Sequence, residues 1–481
     1  MNDTATDTSL SARPVAADSL DRAATSPWAA LPVLMAGTAM IVLDFFIVNV
    51  ALPSMQTNLH AGAAALEWVV AGYGLTFAAL MVVAGRLGDC FGRRRMFSLG
   101  LLLFGLTSAA CGAAPTSDLL VAARLLQGAA AALISPSVLS LIGVIYTGPE
   151  RLRAISVYGV AMGLAAASGQ LLGGILIQAD VLGLGWRAIF LINVPVAAAA
   201  LAFVKRTVPE SRSTDRQPLD WPGVVLVTAG LVALVLPLVQ GRALGWPAWS
   251  IASLIASPAL IGGFVAYQHK LEARGGAPLV AMSLFKERSL RSGLVTQLGF
   301  WCGQAALFLV LAIYLQDGRG LDPLNAGLVF TVMAAAYLLT SMRAPALTLR
   351  FGRDLIAVGA LTLAAGEGGL AAAVAAGGTR CPLLALVPGL VAAGAGMGLC
   401  ITPLTTVVLA HAGPEQAGAV SGALSTMQQV GNAVGVALTG LIFFGTHGTG
   451  RAFELSALQL GCLLTGVAVI TRLLPARAAG R

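Results

Sequence analysis

Long apolar runs separated by short polar segments make up the chain from residue 28 to residue 471. A helix needs about 20 apolar residues to cross the hydrocarbon core of a bilayer. On this measure the pattern predicts fourteen membrane-spanning helices, at residues 28–52, 66–85, 96–114, 118–146, 154–178, 188–204, 219–240, 248–268, 292–316, 323–342, 354–377, 382–410, 416–445 and 456–471. The expected fold class is therefore an all-α integral membrane protein.

The composition also indicates a lipid environment. Of the 481 residues, 57% are hydrophobic and 10% are charged, whereas about 25% of the residues in a soluble domain are charged. The net charge of +8 is spread over short loops, so we expect a lipid bilayer as partner and no nucleic acid. Residues 1–26 form a polar tail, and the apolar run after it is too long for a signal-peptide core, so we expect it to be retained as the first span.

Lysine and arginine fall mainly on one side of the predicted spans. The segments that would lie inside hold 23 of the 29 Lys and Arg residues, those outside hold 5, and Arg124 alone lies within a span. Cytoplasmic loops of membrane proteins carry such an excess. The distribution predicts a multi-pass protein of the plasma (inner) membrane with both termini in the cytoplasm.

The chain contains an internal repeat. FGRRR at 91–95 recurs as FGRD at 351–354, an offset of 260, and AALISPS at 131–137 recurs as GLCITPL at 398–404, an offset of 267. Repeats with a binding site at their interface are typical of transporters. We expect an N-terminal tail at 1–26 and an N-terminal six-helix half at 27–205. Cytoplasmic segments with two extra central helices follow at 206–288. A C-terminal six-helix half at 289–471 and a C-terminal tail at 472–481 complete the chain.

Two charged residues within predicted spans are candidates for proton coupling. Asp44 is the only Asp, Glu, Lys or Arg between Ala23 and Leu66, and a carboxylate inside a membrane is costly. Burial disfavours its charged form, so it can exchange protons near neutral pH; alternatively, it is a structural acid bonded to a neighbouring helix. Arg124 needs an acceptor, for which Asp44 is a candidate, unless it lies near the membrane boundary and extends to the interface.

Glu367 is the third candidate for proton coupling. It lies in LAAGEGGLAAA, near the middle of the predicted span 354–377, with no basic residue beside it in sequence. Either it lines the cavity as a second proton or cation site, or the span is misplaced and it lies in a loop.

Polar and aromatic side chains within the spans predict a substrate cavity. Gln127 lies three residues after Arg124 and shares its helix face. The candidates for the cavity wall are Asn49, Tyr73, Gln127, Gln170, Trp301, Gln304, Gln428 and Asn432. The alternative role for such residues is polar packing between helices.

The sequence offers no other source of energy or chemistry. A phosphate-binding loop for ATP needs the sequence G-K-[ST]. The three lysines occur in KR, KL and KE, so the chain has no ATP site of this type. The four histidines fall in loops or at a span end, and the six cysteines are scattered, so we expect no metal site and no cofactor. A membrane enzyme would need clustered acidic or His/Asp residues at a span end, which the sequence lacks, so we expect no enzymatic activity.

Several segments resemble a known family. GRLGDCFGRRR at 85–95 reads as a tight hydrophilic turn and resembles the loop motif of the major facilitator superfamily, although Cys90 stands where a basic residue is usual. LDFFIVNVALP at 43–53 and R-x-x-Q-G from Arg124 resemble the first-span and fourth-span motifs of its fourteen-span drug:proton antiporters. The run 159–174 is similar to the antiporter motif of exporters, with Gln170 in place of proline.

The resemblance covers nearly the whole chain after residue 26 and implies a mechanism. It implies a major facilitator fold whose monomer exports a drug, antibiotic or similar small amphipathic molecule by alternating access, driven by protons. An exporter or importer of a specific metabolite on the same scaffold is the alternative. The residues expected to act in gating are Gly85, Asp89, Gly92, Arg93, Arg94, Gly169 and Gly173.

Overall fold

A computed structural model describes residues 26–212, 220–241, 244–276, 278–279, 282, 287–409 and 417–473. Fifteen α-helices and no strand occur in this part of the chain. Numbered α1 to α15, they are Ala30–Leu59, Ala63–Phe91, Arg93–Ala113, Ser117–Ile145, Gly148–Ala179, Ala188–Leu191, Asn193–Thr207, Trp221–Gln240, Ala248–Ala273, Arg288–Ile313, Pro323–Phe351, Arg353–Gly377, Leu383–Leu409, Ala417–Phe443 and Thr449–Ile470. Most of each predicted tail lies outside the described residues.

The helices confirm the all-α membrane class. Within the described ranges, 12 helices are long and apolar enough to cross a membrane, and the bent pair Gly148–Ala166 and Ser168–Ala179 makes up to 13. Helix α14 has 27 residues and carries Gln428 and Asn432, two of the polar side chains assigned to the cavity. The exact number of fourteen spans stays a prediction. The helices run past the predicted spans, as α1 does to Leu59, because a helix can continue into the headgroup region.

The two groups of helices predicted as halves pack in the same pattern. In the first, α1 packs on α5 and α7, α2 on α4, and α3 on α4 and α7. In the second, α10 packs on α14 and α15, α11 on α13, and α12 on α13 and α15. The corresponding pairs are thus α1 with α10, α3 with α12, α4 with α13, α5 with α14 and α7 with α15. The sequence repeat is therefore matched by a repeat of packing; the residue boundaries of the halves stay predictions.

The extra central helices form a hairpin beside the seam between the halves. Helices α8 and α9 pack on each other, and α8 also contacts α2 and α14. Asp220 caps α8 by accepting from Gly223 N at 3.0 Å. The same carboxylate accepts from Tyr267 Oη at 2.9 Å and from Gln268 Nε2 at 2.5 Å, which ties the two helices together at one end.

The hydrophilic turn predicted at 85–95 is much shorter in the structure. Helix α2 continues through Phe91, and α3 begins at Arg93. Only Gly92 breaks the helix, with φ at +110°, a conformation that residues with a side chain rarely adopt. The earlier residues of the motif, including Gly85, lie within the helix because the polar side chains there do not interrupt its backbone hydrogen bonds.

The seam between the halves is closed at one end. A Cβ atom added to Gly174, near the end of α5, would lie 2.5 Å from Pro323 O at the start of α11. Towards the other end of α5, a Cβ at Gly163 would be 3.6 Å from Tyr337, and one at Gly159 would meet nothing within 4 Å. Helices α5 and α11 therefore diverge towards the end of the molecule that carries Gly92.

Candidate functional site

Asp44 lies at the centre of a buried polar cluster within the first half. Its side chain and that of Arg124 are both 0% exposed, and Arg124 Nη1 lies 2.5 Å from Asp44 Oδ2. The other carboxylate oxygen accepts from Gln127 Nε2 at 2.9 Å and from Asn193 Nδ2 at 2.8 Å. The cluster thus joins α1, α4 and α7, and its ion pair has no net charge.

Arg124 has further contacts that fix its position. Its Nε donates to Val69 O at 2.8 Å, and its Nη1 also donates to Gln127 Oε1 at 2.7 Å. The guanidinium carbon lies 4.3 Å from the centre of the Tyr73 ring. The remaining nitrogen, Nη2, is buried without a hydrogen-bond partner among the described residues. Arg124 is therefore a core residue of the bundle and does not extend to the membrane boundary.

The structure adds two residues that the sequence analysis did not assign to the cluster. Ser108 Oγ on α3 accepts from Gln127 Nε2 at 2.8 Å and from Asn193 Nδ2 at 3.3 Å. Asn193 was visible only as a single amide in the apolar run FLINVP, and Ser108 as one small hydroxyl in a span. Isolated polar residues of this kind also occur in ordinary helix packing, so the sequence alone did not single them out.

Two residues assigned to the substrate wall belong to this cluster. Gln127 is fully buried and bonded to Asp44 and Ser108. Tyr73 is also fully buried; its ring lies against Arg124 and its hydroxyl is 3.5 Å from Ile41 O. In this conformation neither side chain lines an open cavity, because helical spacing gives the face of a helix but not which neighbour that face meets. A contact of either residue with substrate stays a prediction.

Two other predicted cavity residues form a pair of amides on one backbone carbonyl. Asn49 Nδ2 and Gln170 Nε2 donate to Phe46 O at 3.1 Å and 2.9 Å. Since this acceptor fixes the amide nitrogens, the oxygens Oδ1 and Oε1 point elsewhere, and both are buried without a partner in the described chain. The Phe46 ring crosses the seam to Phe308 at 4.9 Å, which places the amide pair beside the interface of the halves.

The remaining predicted cavity residues lie in the second half. Gln304 Nε2 donates to Met397 Sδ at 3.4 Å, and Asn432 Nδ2 donates to Gln429 Oε1 at 3.3 Å. The carbonyl oxygens of Gln304 and Asn432 have no partner among the described residues. Trp301 is buried with its ring 5.5 Å from that of Phe300, and Gln428 is half-buried. The eight residues thus lie in the Asp44 cluster, in the amide pair at Phe46 and at separate positions of the second half.

The predicted gating glycines of α5 are packing residues. A Cβ at Gly173 would lie 2.5 Å from Val50 Cγ1, and one at Gly169 would lie 3.0 Å from Phe46 Cβ. Both glycines therefore allow α5 to approach α1 closely. In the second half, a Cβ at Gly431 of α14 would lie 2.7 Å from Leu298 O of α10. A role for Gly169 and Gly173 in gating stays a prediction.

The arginine-rich start of α3 binds the segment that follows α7. Arg93 N donates to Ser211 O at 2.9 Å, and Arg94 N donates to Glu210 Oε1 at 3.1 Å. The Nε atoms of Arg94 and Arg95 lie 3.7 Å and 3.6 Å from Glu210 Oε2. The partner residue Glu210 was not predicted, because nothing in a polar loop sequence tells which basic residues it will meet. The side chain of Asp89 lies outside the described part.

Glu367 is fully buried, but not at the seam. Its helix, α12, packs mainly on α13 and α15, on the side of the second half away from the first. The residue therefore lies inside a span and inside its own half, not in a loop. Its role as a proton or cation site stays a prediction. Elsewhere in the described ranges, no group of three or more His, Cys, Asp or Glu residues is arranged to hold a metal ion.

The sequence profile of the Major Facilitator Superfamily matches residues 34–436. The chain is 38% identical over 423 residues to a probable actinorhodin transporter of Streptomyces coelicolor, covering 88% of this chain and 73% of that protein. It is 35% identical to the puromycin resistance protein pur8 of Streptomyces alboniger, covering 88% and 85%. It is 33% identical to the cephamycin export protein CmcT of Amycolatopsis lactamdurans, covering 91% and 90%.

Solved structures share the fold at low sequence identity. A POT family peptide transporter in an auto-inhibited state superposes with a TM-score of 0.68 at 17% identity, covering 94% of this chain and 98% of that one. The xylose transporter XylE of E. coli, in a partially occluded inward-open conformation, superposes with a TM-score of 0.64 at 16% identity, covering 95% and 99%.

Proposed function

Since the chain belongs to the major facilitator superfamily of membrane transporters, we propose that it exports a drug, an antibiotic or a similar small amphipathic molecule across the plasma membrane, driven by protons. The names of the similar proteins, which concern antibiotic transport, resistance and export, support this class of substrate. The buried pair of Asp44 and Arg124 is the observation that carries proton coupling. The only cosubstrate is the proton, and the monomer, which contains both halves, is the working unit.

Proton exchange at Asp44 changes the partners of Arg124. A proton on Asp44 removes the charge that balances the buried guanidinium, and breaking a buried ion pair costs about 3–5 kcal/mol. Arg124 then needs other hydrogen-bond acceptors. Its Nη2, which has no partner among the described residues, can donate to a new one. One pH unit supplies about 1.4 kcal/mol per proton, and 100 mV supplies about 2.3 kcal/mol per charge. The proton gradient therefore favours a rearrangement of α1 against α4, which is the step we assign to the change of access.

Alternating access requires a seam that opens at either end. We place the open end, which carries Gly92, in the cytoplasm because the arginine-rich loops lie there. The described conformation then faces inward, with α5 and α11 closed on the extracellular side. In the opposite conformation these helices separate near Gly174, and the carbonyl oxygens of Asn49 and Gln170 reach the opening and accept hydrogen bonds from the departing substrate.

The orientation predicts the result of reporter fusions. A reporter joined after Arg95 and another joined after Lys270 are both expected to report the cytoplasm, because both positions lie in segments rich in Lys and Arg. The measurement is the ratio of a reporter active only in the cytoplasm to one active only outside. A fusion after Arg380 serves as control and is expected outside. An external signal after Arg95 would contradict the assignment.

The start of α3 and the segment after α7 form the cytoplasmic latch in this mechanism. Glu210→Ala removes the acceptor of Arg94 N and the charge beside Arg94 and Arg95. We expect transport several-fold slower, a stability loss of about 1 kcal/mol and unchanged substrate affinity. The measurements are transport rate, melting temperature and substrate binding by the purified protein.

The matched control for the latch is Glu150→Ala. Glu150 is an exposed acid at the start of α5, on the same side of the membrane. It is expected to leave the transport rate near that of the wild type. Weaker substrate binding in a folded Glu210→Ala variant would place the latch segment in the substrate site instead.

The proposed function is tested in a host that lacks its own efflux pumps. Expression of the chain is expected to raise resistance to some members of a panel of antibiotics, and an uncoupler is expected to remove that resistance. Uptake of the same compounds into inverted membrane vesicles under an imposed pH gradient gives the direction of transport. No resistance to any compound, together with net movement of a metabolite, would favour a metabolite transporter on the same scaffold.

A further inference from the structure

Glu367 is a buried acidic residue that is not part of the Asp44 cluster. Its side chain is 0% exposed. The adjoining Gly366 packs against the backbone of Ala393 and Gly389 on α13, and a Cβ at Gly461 of α15 would lie 3.9 Å from Glu367 Oε2. Neither carboxyl oxygen has a hydrogen-bond partner among the described residues. The side chain is therefore buried where α12 packs on its neighbours, with Gly461 of α15 beside the carboxyl group.

Among the described residues, the helices around Glu367 supply no charged group that pairs with it. The titratable residue of α13 is Cys400, whose Sγ donates to Ile356 O at 3.3 Å. On α15, Arg451 and Glu454 pair with each other in the first turns at 2.5 Å, and Cys462 is exposed. The other charged groups on the elements packed against α12, or at its own start, lie at helix ends, except for Arg343, which lies two turns before the end of α11: Arg343, Arg350, Arg353, Asp354, Arg380 and Arg472.

An ionised Glu367 would be an unpaired charge in the interior of the protein. The cost of burying such a charge is several kcal/mol even after the surroundings relax. A neutral carboxylic acid has no such penalty, and it keeps the proton as part of the side chain. The surroundings of Glu367 therefore fit the protonated form.

The packing repeat shows how this site differs from the Asp44 cluster. At offsets close to those of the sequence repeat, Ser108 on α3 corresponds to residues 367–368 on α12, and Arg124 on α4 corresponds to Val391 on α13. The helix that corresponds to α7 is α15, and its Ser456 hydroxyl is also buried without a partner in the described chain. The second half thus has a carboxyl group in the equivalent layer but no arginine to hold it ionised.

We propose that Glu367 is a second proton site of the transporter, occupied by a proton in the described conformation and separate from Asp44. The proposal rests on proton-driven transport, and it extends the coupling to one more proton per cycle. Glu367 releases its proton when α12 and α15 admit water in another conformation of the second half. With Asp44, each half then carries one exchangeable carboxyl group.

Infrared spectroscopy of the purified protein tests the protonation without transport. The wild type at pH 7 is expected to show the carbonyl-stretching band of a neutral carboxylic acid, and Glu367→Gln is expected to lose it. Glu367→Asp keeps a carboxyl group and is expected to shift the band, which decides the question if Glu367→Gln does not fold. A wild-type spectrum without a neutral-acid band that depends on Glu367 overturns the proposal.

The number of protons per substrate tests the role in transport. In proteoliposomes, Glu367→Gln is expected to use one proton fewer, so its maximal accumulation falls tenfold for each pH unit of the gradient. Glu454→Gln, the same change at a paired glutamate of α15, is expected to keep the wild-type ratio. An unchanged ratio in Glu367→Gln overturns the proposal. If a pH gradient drives no substrate transport by the wild-type protein, the proposed function is overturned. The infrared result then still decides the protonation of Glu367.

Discussion

Asp44→Asn is expected to abolish transport of substrate against its gradient and to lower the stability of the purified protein. Asparagine has the size of aspartate but cannot exchange a proton, so the driving step is lost. It also leaves the buried Arg124 guanidinium without its carboxylate, at a cost of about 3–5 kcal/mol. The measurements are substrate uptake into inverted vesicles under a pH gradient and the melting temperature of the variant.

A double variant separates the two effects of Asp44→Asn. Asp44→Asn combined with Arg124→Gln removes both charges, and replacing both partners of a buried ion pair is often nearly neutral for stability. The melting temperature is therefore expected to recover while transport against the gradient stays absent. Ser108→Ala, which removes an uncharged acceptor of the same cluster, is expected to retain coupled transport. Accumulation of substrate by the double variant would show that Asp44 is structural.

Gly174→Val is expected to block transport by preventing α5 from closing on α11. The added Cβ would lie 2.5 Å from Pro323 O and 2.9 Å from Leu324 Cα, and neither backbone atom can move unless the helix shifts. An overlap that costs the closed form about 3 kcal/mol changes the ratio of closed to open molecules more than 100-fold. Transport is expected to fall to a similar extent. An impermeant thiol reagent added outside is expected to label an Asn49→Cys variant faster when Gly174→Val is present.

The matched control lies on the same helix. Gly159→Val makes the same chemical change where a Cβ meets nothing within 4 Å. It is expected to transport at close to the wild-type rate, because the added side chain overlaps no other atom. Both variants carry the same change in helix propensity, so the comparison isolates the overlap at Gly174. An equal loss in the two variants would mean that the effect comes from the α5 helix itself and not from closure of the seam.

Several features could be predicted from the sequence because they depend on lipid as solvent. The apolar runs led to an all-helical membrane protein, and the two motifs 91–95 and 351–354 led to a repeated fold. The pairing of Asp44 with Arg124 was foreseen for the same reason. A charged group inside an apolar span needs a partner of opposite charge, and few candidates were available.

The partners of neutral polar residues could not be foreseen in this way. Asn193 and Ser108 complete the Asp44 cluster, and Tyr73 turned out to belong to it. An amide or a hydroxyl in a span can bond to its own helix, to a neighbour or to substrate at similar cost. The sequence pattern therefore does not discriminate among these positions.

By itself, the sequence determined which segments are helices in the membrane and which charges must be compensated there, because transfer from water to lipid acts on each segment separately. The tertiary structure decided which helix faces meet. It placed Glu367 between α12, α13 and α15, shortened the predicted turn to Gly92, and brought Glu210 to the start of α3. These outcomes depend on the close approach of backbones at small residues and on distances between helices far apart in sequence, which no local pattern of residues encodes.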